Sequence, residues 1–330
     1  MLKIALLAGG RSAEREISFK SAKAVAEVLQ TMNVSYEKFD PADAGMPAAL
    51  MAFRPDVAFP ALHGPGGEDG CIQGFLESAG IPYVGSGVAA SAICMNKLYT
   101  KWAFEALAIP TPRWALVESA ADLEEKLATP ERSLPPFPVV VKPLTEGSSV
   151  GVAFVKTAVD LVALAEKRNM PLLVEERIVG RELTLPVFGR PIELLPVIEI
   201  RPKAGFFDFD AKYTNGMTDY ICPADISAEL RETLNGHAMR IAGALGLRHM
   251  SRIDVMLAGP QSATEKPPLP GMPRNIPPDG QPYFLEINTI PGMTATSLLP
   301  MSAKAAGIEF PELIRKLIDM AKGARADEKS

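Results

Sequence analysis

The chain has 330 residues, too many for one ordinary hydrophobic core, which predicts two or three domains. Hydrophobic residues make up 47% and charged residues 22%, the balance of a well-packed globular protein. With 34 Lys and Arg against 39 Asp and Glu, the net charge of −5 lacks the basic excess of a general nucleic-acid or acidic-membrane binder.

The chain opens on a short apolar run, Leu2 to Ala8, that ends at Gly9-Gly10 and a charged stretch. That run is too short for a signal peptide and is followed by no cleavage site. No later stretch reaches the roughly 18–20 apolar residues of a membrane span, so neither secretion nor membrane insertion is expected. Cys71, Cys94 and Cys222 are odd in number and widely spaced, with no CxxC pair. They predict neither a disulfide framework nor a zinc site, and they favour a reducing cytoplasm.

Leu2 to Ala8 reads as a strand buried on both faces of a parallel sheet. Ile17, Ala24, Val25, Val28 and Leu29 then share one helical stripe. Val34 to Phe39, Asp56 to Leu62 and the short Ile81 to Val84 are further strand candidates. Strands alternating with helices predict an open α/β sheet, whose ligands sit beyond the carboxyl ends of its strands. Two polar clusters stand at such ends, Gly9 to Glu16 and His63 to Gly70.

A second unit begins near Ser91. Asn96 to Leu107 reads as a helix stopped before Pro110, and Phe137 to Lys142 as a strand. The turn Glu146 to Gly151 leads to a strand at Val152 to Val155, a helix at Ala158 to Lys167 and a strand at Pro171 to Glu176. The third unit carries strands at Glu182 to Phe188 and Glu193 to Ile200 and a helix at Ser227 to Leu245. Two more strands, Arg252 to Leu257 and Tyr283 to Asn288, carry acidic residues. Between them lie eight prolines and three glycines in the twenty-four residues Gly259 to Pro282. That composition predicts an exposed, partly extended loop with no catalytic role.

No lysine follows a glycine, so a Walker loop is absent, and no GxGxxG stands between a strand and a helix. The turn Glu146-Gly147-Ser148-Ser149-Val150-Gly151 has the glycines and hydroxyls of a phosphate cradle, with Lys142 before it. Taken alone, it reads more readily as a hairpin turn. Glu286 and Asn288 are two apart on an apolar strand and project from one face. Asp254 lies inside another apolar strand, directly after Arg252. Converging carboxylate and amide oxygens suit Mg²⁺; solvent-facing acids on half-exposed strands are the alternative. His63, His237 and His249 form no metal cluster by spacing, and Ser12 and Glu14 could simply cap the first helix.

In order along the chain these blocks are Gly9 to Glu16, Leu62 to Gly70, Lys142 to Gly151, Asp210-Ala211-Lys212-Tyr213, and Leu285 to Thr289 with Pro291-Gly292-Met293-Thr294. The set resembles the D-alanine–D-alanine ligase family of the ATP-grasp superfamily, over nearly the whole chain. The resemblance implies an α/β fold, with an open parallel-sheet N-terminal domain followed by a two-part ATP-grasp α+β region. The corresponding divisions are 1–93, 94–179 and 180–330, the last carrying the insertion 259–282. It also implies ATP-dependent joining of two D-alanines through an acyl-phosphate, for peptidoglycan precursors, by a cytoplasmic homodimer that uses two Mg²⁺ or Mn²⁺ ions.

The resemblance assigns roles residue by residue. Lys97, Lys142 and Lys212 match nucleotide-phosphate positions, with Ser148 and Ser149 in the turn over the phosphates. Glu175, Glu176, Ile178 and Glu182 match the adenine and ribose side, and Asp254, Glu286 and Asn288 match the metal ligands. Glu14 and His63 match the first D-alanine's site; Ser297 and Leu298 match the second's. Arg252 and the Gly292 backbone match the groups that steady the tetrahedral centre. Ser148 and Tyr213 are expected to link to Glu14 as a loop around Phe206 to Tyr220 closes. D-lactate or D-serine as acceptor is the nearest alternative, and Tyr213 favours D-alanine. A non-catalytic nucleotide-binding regulator is a further alternative; it would not need the acidic set on the two strands.

Overall fold

The computed structural model describes residues 1–129, 133–148, 150–203, 217–259 and 278–327. The expected roles of Ser149, Lys212 and Tyr213, the loop 206–216 and residues 260–277 of the insertion lie outside the described residues.

The first apolar run forms β1 (Leu2–Leu7), the centre of a three-stranded parallel sheet in the order β2-β1-β3. Its partners are β2 (Val34–Phe39) and β3 (Val57–Pro60). Because side chains alternate across a strand, Ile4 and Leu6 enter one core while Ala5 and Leu7 enter another. On the first face lies α1 (Arg15–Thr31); on the second lie α2 (Met46–Phe53) and α3 (Cys71–Ser78). The strand expected at Ile81 to Val84 is instead a single parallel bridge, Ala58 to Tyr83. Pro82 has no N–H with which to extend the ladder.

The chain then passes through α4 (Val88–Met95) into α5 (Lys97–Ala106). Asn96 caps α5, its side chain accepting from the N–H groups of Leu98 at 3.0 Å and Tyr99 at 3.4 Å. A four-stranded antiparallel sheet follows, in the order β4-β7-β5-β6. It comprises β4 (Trp114–Val117), β5 (Val139–Pro143), β6 (Ala153–Val155) and β7 (Leu172–Glu176), backed by α6 (Ala120–Ala128) and α7 (Ala158–Ala165). The glycine-and-serine turn joins β5 to β6 as a hairpin.

The third sheet has six strands, in the order β11-β10-β8-β12-β13 with β9 also on β8. They are β8 (Gly180–Gly189), β9 (Ile192–Leu194), β10 (Ile198–Pro202), β11 (Thr218–Ile221), β12 (His249–Ala258) and β13 (Gln281–Asn288). The single strand expected at Glu193 to Ile200 is therefore two, broken around Pro196, which again cannot donate to a ladder. One face of this sheet packs on α8 (Ala228–Leu245). The last helices, α9 (Leu298–Ala305) and α10 (Phe310–Asp327), return to the beginning of the chain. Leu299, Leu313, Ile314 and Leu317 join Ile4, Leu6, Val25 and Leu29 in one core. No described helix is long and apolar enough to cross a membrane.

Candidate active site

Strand register sets the acidic groups. On β12 and β13, Arg252 pairs with Asn288 and Asp254 with Glu286, so all four side chains arise from adjacent positions. A register shift directly after Asp254 bends the ladder there, as a β-bulge does. On its other side Asp254 pairs with Thr184 of β8, whose hydroxyl donates to Asp254 Oδ1 at 2.6 Å. Arg252 donates to both Asp254 oxygens at 2.9 Å, a fork-to-carboxylate pair that fixes the guanidinium.

Two cavities meet at this edge. The first, of about 620 Å³, is walled by Glu14, His63, Ser148, Arg252, Asn288, Gly292, Ser297 and Leu298. The second, of about 440 Å³, lies between the second and third sheets. It is walled by Lys142, Glu175, Glu176, Ile178, Glu182 and Asp254. Lys97, Glu146 and Glu286 line both. Lys97 Nζ donates to the Glu146 carbonyl and stands 3.9 Å from Glu286 Oε2.

In the first cavity Glu14 stands at the N-terminal boundary of α1, yet its side chain caps nothing. It accepts a hydrogen bond from Ser148 Oγ of the β5–β6 hairpin, drawing together parts of the chain 134 residues apart. Gly147 permits this closeness, since a Cβ there would lie 2.5 Å from Glu14 Oε2. Ser12 serves the same corner by donating to the His63 carbonyl at 2.6 Å. His63 is buried, and Ser21 Oγ lies 3.1 Å from its Nε2 while accepting from Met293 N–H at 3.2 Å. Burial, with the Arg252 charge, pushes His63 down to about 4, so the ring is neutral at neutral pH. Ser297 Oγ accepts from Thr294 N–H at 3.0 Å, shaping the turn that leads into α9.

Sequence reasoning gave Glu68 no role, although it too walls this cavity. It accepts from Gly64 N–H at 2.7 Å and Ile290 N–H at 3.4 Å. Burial and the neighbouring Glu14 charge raise it to about 8, so it holds a proton at neutral pH. Ser21 was likewise missed, as was Lys101 beneath the second cavity. A lysine four residues after Lys97, on the same face of a helix, was the available signal for Lys101.

In the second cavity Lys142 Nζ donates to Glu175 Oε2 at 2.6 Å. Burial alone would lower Lys142, but Glu175 and Glu286 outweigh it and hold the ammonium above the ordinary lysine value. Burial would raise Glu175, but Lys101 and Lys142 outweigh it and hold it below the usual carboxylate range. The Glu175 carboxylate is thus shared between two lysines at the wall of the second cavity. Glu176 is held by Arg113 Nε at 3.0 Å. Asp254, Glu286 and Asn288 offer the hard oxygen donors that Mg²⁺ or Mn²⁺ takes. No group of three or more His, Cys, Asp or Glu among the described residues could hold a metal. The two carboxylates and one amide fit a cation whose shell is completed by water and phosphate oxygens.

Residues 103–319 match the family described as D-ala D-ala ligase C-terminus, and residues 40–86 match D-ala D-ala ligase N-terminus. A D-alanine–D-alanine ligase of Aromatoleum aromaticum is 43% identical over 323 residues, spanning 97% of this chain and 96% of that protein. Another, of Moorella thermoacetica, is 39% identical, spanning 97% of this chain and 99% of that protein. The crystal structure of the Bacillus anthracis D-alanine–D-alanine ligase complexed with ATP superposes with a TM-score of 0.80. It is 31% identical and covers 99% of this chain and 100% of that one.

Proposed function

The chain belongs to the D-alanine–D-alanine ligase family, and we propose that it joins two molecules of D-alanine, with ATP converted to ADP and phosphate. One observation carries this reading: the two cavities share Lys97, Glu146 and Glu286. A nucleotide in the second cavity would present its terminal phosphate to a carboxylate in the first.

A carboxylate is a poor electrophile, so the first D-alanine must be activated before an amine can attack it. In the proposed reaction its carboxylate oxygen attacks the terminal phosphorus of ATP, ADP leaves, and an acyl-phosphate forms. The amine of the second D-alanine then attacks the acyl carbon, loses a proton, and expels inorganic phosphate. Glu14 would receive the first ammonium; that it lines the first cavity together with the neutral ring of His63 supports this role. Arg252, fixed by Asp254, offers its guanidinium to negative charge developing at the carbonyl, as does the backbone of Gly292. Ser297 and the positive end of α9 suit the second carboxylate. Lys97 and Lys142 supply cations to the phosphates.

Asp254, Glu286 and Asn288 would hold the divalent cations, which supply charge neutralisation for phosphoryl transfer when bound. Glu182, Glu176 and Ile178 line the part of the second cavity assigned to adenine and ribose. The division at 1–93, 94–179 and 180–330 goes with this reading: each sheet's strands fall within one of these ranges. Assembly as a homodimer, a cytoplasmic location and supply of peptidoglycan precursors complete the proposal.

Incubation with ATP and Mg²⁺, offering D-alanine, D-serine or D-lactate in turn, tests it by phosphate release and product mass. Release with D-alanine, accompanied by D-alanyl-D-alanine, is expected. ATP consumption only when D-lactate or D-serine is offered as acceptor would reassign the second substrate, and none with any acceptor would overturn the ligase reading.

A further inference from the structure

Helix α5 presents two lysines one turn apart to the same side, but to different surroundings. Lys97 opens onto the junction of the cavities, whereas the Lys101 side chain is 0% exposed. An ammonium so deeply buried requires partners, because desolvation strongly disfavours its charge. Lys101 Nζ lies 3.0 Å from Glu175 Oε1 and donates to Thr111 Oγ1 at 2.6 Å. Thr111 in turn donates to the Phe284 carbonyl at 2.8 Å, on the strand that carries Glu286. Glu175 is therefore divided, one oxygen facing Lys101 and the other accepting from Lys142.

That division has a consequence for any anion entering the second cavity. Within this three-group cluster Lys142 and Lys101 carry two positive charges against the one negative charge of Glu175, a cluster excess of one that offsets Glu286 and Glu182, which also act on Lys142. Without Lys101, both carboxylate oxygens could turn to Lys142 and the local excess would vanish. We propose that Lys101 is a positioning residue for the nucleotide phosphates: by occupying half of Glu175, it leaves the Lys142 ammonium available to an incoming phosphate. The inference rests on the reading of the second cavity as the ATP site. Burial and the like charge of Lys142 draw Lys101 down to about 8 against the pull of Glu175, consistent with three groups sharing charge.

The test is ADP binding by calorimetry with Mg²⁺, together with the KM values for ATP and D-alanine. Lys101→Met is expected to weaken ADP and raise the ATP KM about tenfold, the scale of one charge-assisted hydrogen bond, with the D-alanine KM little changed. Adding Glu175→Gln to Lys101→Met restores the excess positive charge, so ADP affinity should move back toward wild type. A purely structural role for Lys101 would make the two losses accumulate instead, and that outcome overturns the proposal. Should Lys101→Met fail to fold, Thr111→Val keeps every charge and removes only the tether. It should weaken ADP about threefold, as loss of a single hydrogen bond would. Unchanged ADP affinity in Thr111→Val overturns the role of Lys101. A wild-type protein that binds no ADP overturns the ATP-site reading itself, which separates the two failures.

Discussion

Glu286 borders both cavities, and its charge is the property the proposed phosphoryl transfer needs. Its side chain is 36% exposed, so its shape contributes little to packing. Glu286→Gln should therefore lower ATP-dependent phosphate release roughly a hundredfold or more while leaving the thermal midpoint unchanged. Near-normal release with wild-type Mg²⁺ dependence would remove Glu286 from the ligand set. Ser21 makes the opposite case, being fully buried and bonded on two sides. Ser21→Ala strands the Met293 N–H and frees the His63 ring, which should cost roughly 1–3 kcal/mol in stability. It should also reduce kcat and loosen D-alanine binding while sparing the ATP KM, because Ser21 touches only the first cavity. Equal losses for both substrates would contradict that placement. Glu14, Lys142 and Glu286 could be picked out from sequence because each stands in a recognisable block, Asp254 with Arg252 because a carboxylate interrupts an apolar strand, and Lys97 through the family resemblance. Ser21 could not, because its partner Met293 lies 272 residues away. Glu68 stands in the block Leu62 to Gly70, but its contact with Ile290, 222 residues on, was hidden, and Lys101 showed only its four-residue spacing from Lys97.

Among the elements, β1 was legible because a buried strand writes its environment as a continuous apolar run, and the second half of β12 because Ile253, Val255, Met256 and Leu257 are apolar on either side of Asp254. The breaks were less so. Pro82 and Pro196 ended ladders that apolar composition alone would have extended. Helix α4 was missed because Val88 to Met95 is small and apolar, a pattern that buried helices and strands share. The proline-rich insertion leaves its flanking strands paired to their ends, with Ala258 opposite Gln281. A short turn can therefore span that gap. Replacing residues 260–278 by a two- to four-residue turn, of about the length hairpins favour, should keep the register of Asp254 with Glu286. ATP KM and kcat should stay within about twofold of wild type. A folded, monodisperse deletion variant that has lost activity would show a role for the insertion.

At the scale of the whole molecule, the first sheet is completed by the last helices. Leu313, Ile314 and Leu317 of α10 pack with Ile4 and Leu6 of β1, so the N-terminal part does not bury its core alone. Local periodicity could not reveal this closure, because each helix is amphipathic whichever sheet it covers. Buried titratable groups then couple the folded state to pH. Burial holds His63, His237 and His249 each near 4 against an ordinary value of 6.5. Between those values the unfolded chain takes up protons that the folded one refuses, so stability present at neutral pH is lost as pH falls. Glu68 acts in the opposite sense, keeping a proton up to about 8 that the unfolded chain releases above 4.5. In the shared window from 4.5 to 6.5 three histidines oppose one carboxyl, so acidification destabilises on balance. The guanidinium midpoint should be lower at about pH 5 than at about pH 7; a higher midpoint at the acid end would contradict this balance.

The central claim is that the junction at Lys97 and Glu286 passes a phosphoryl group from the nucleotide cavity to a carboxylate in the other. Following heavy oxygen supplied in the carboxylate of D-alanine tests it most directly. If the carboxylate is phosphorylated, one of its oxygens must leave with phosphate when the peptide bond forms. The account predicts labelled inorganic phosphate appearing in step with D-alanyl-D-alanine. Dipeptide accumulating beside unlabelled phosphate would contradict it.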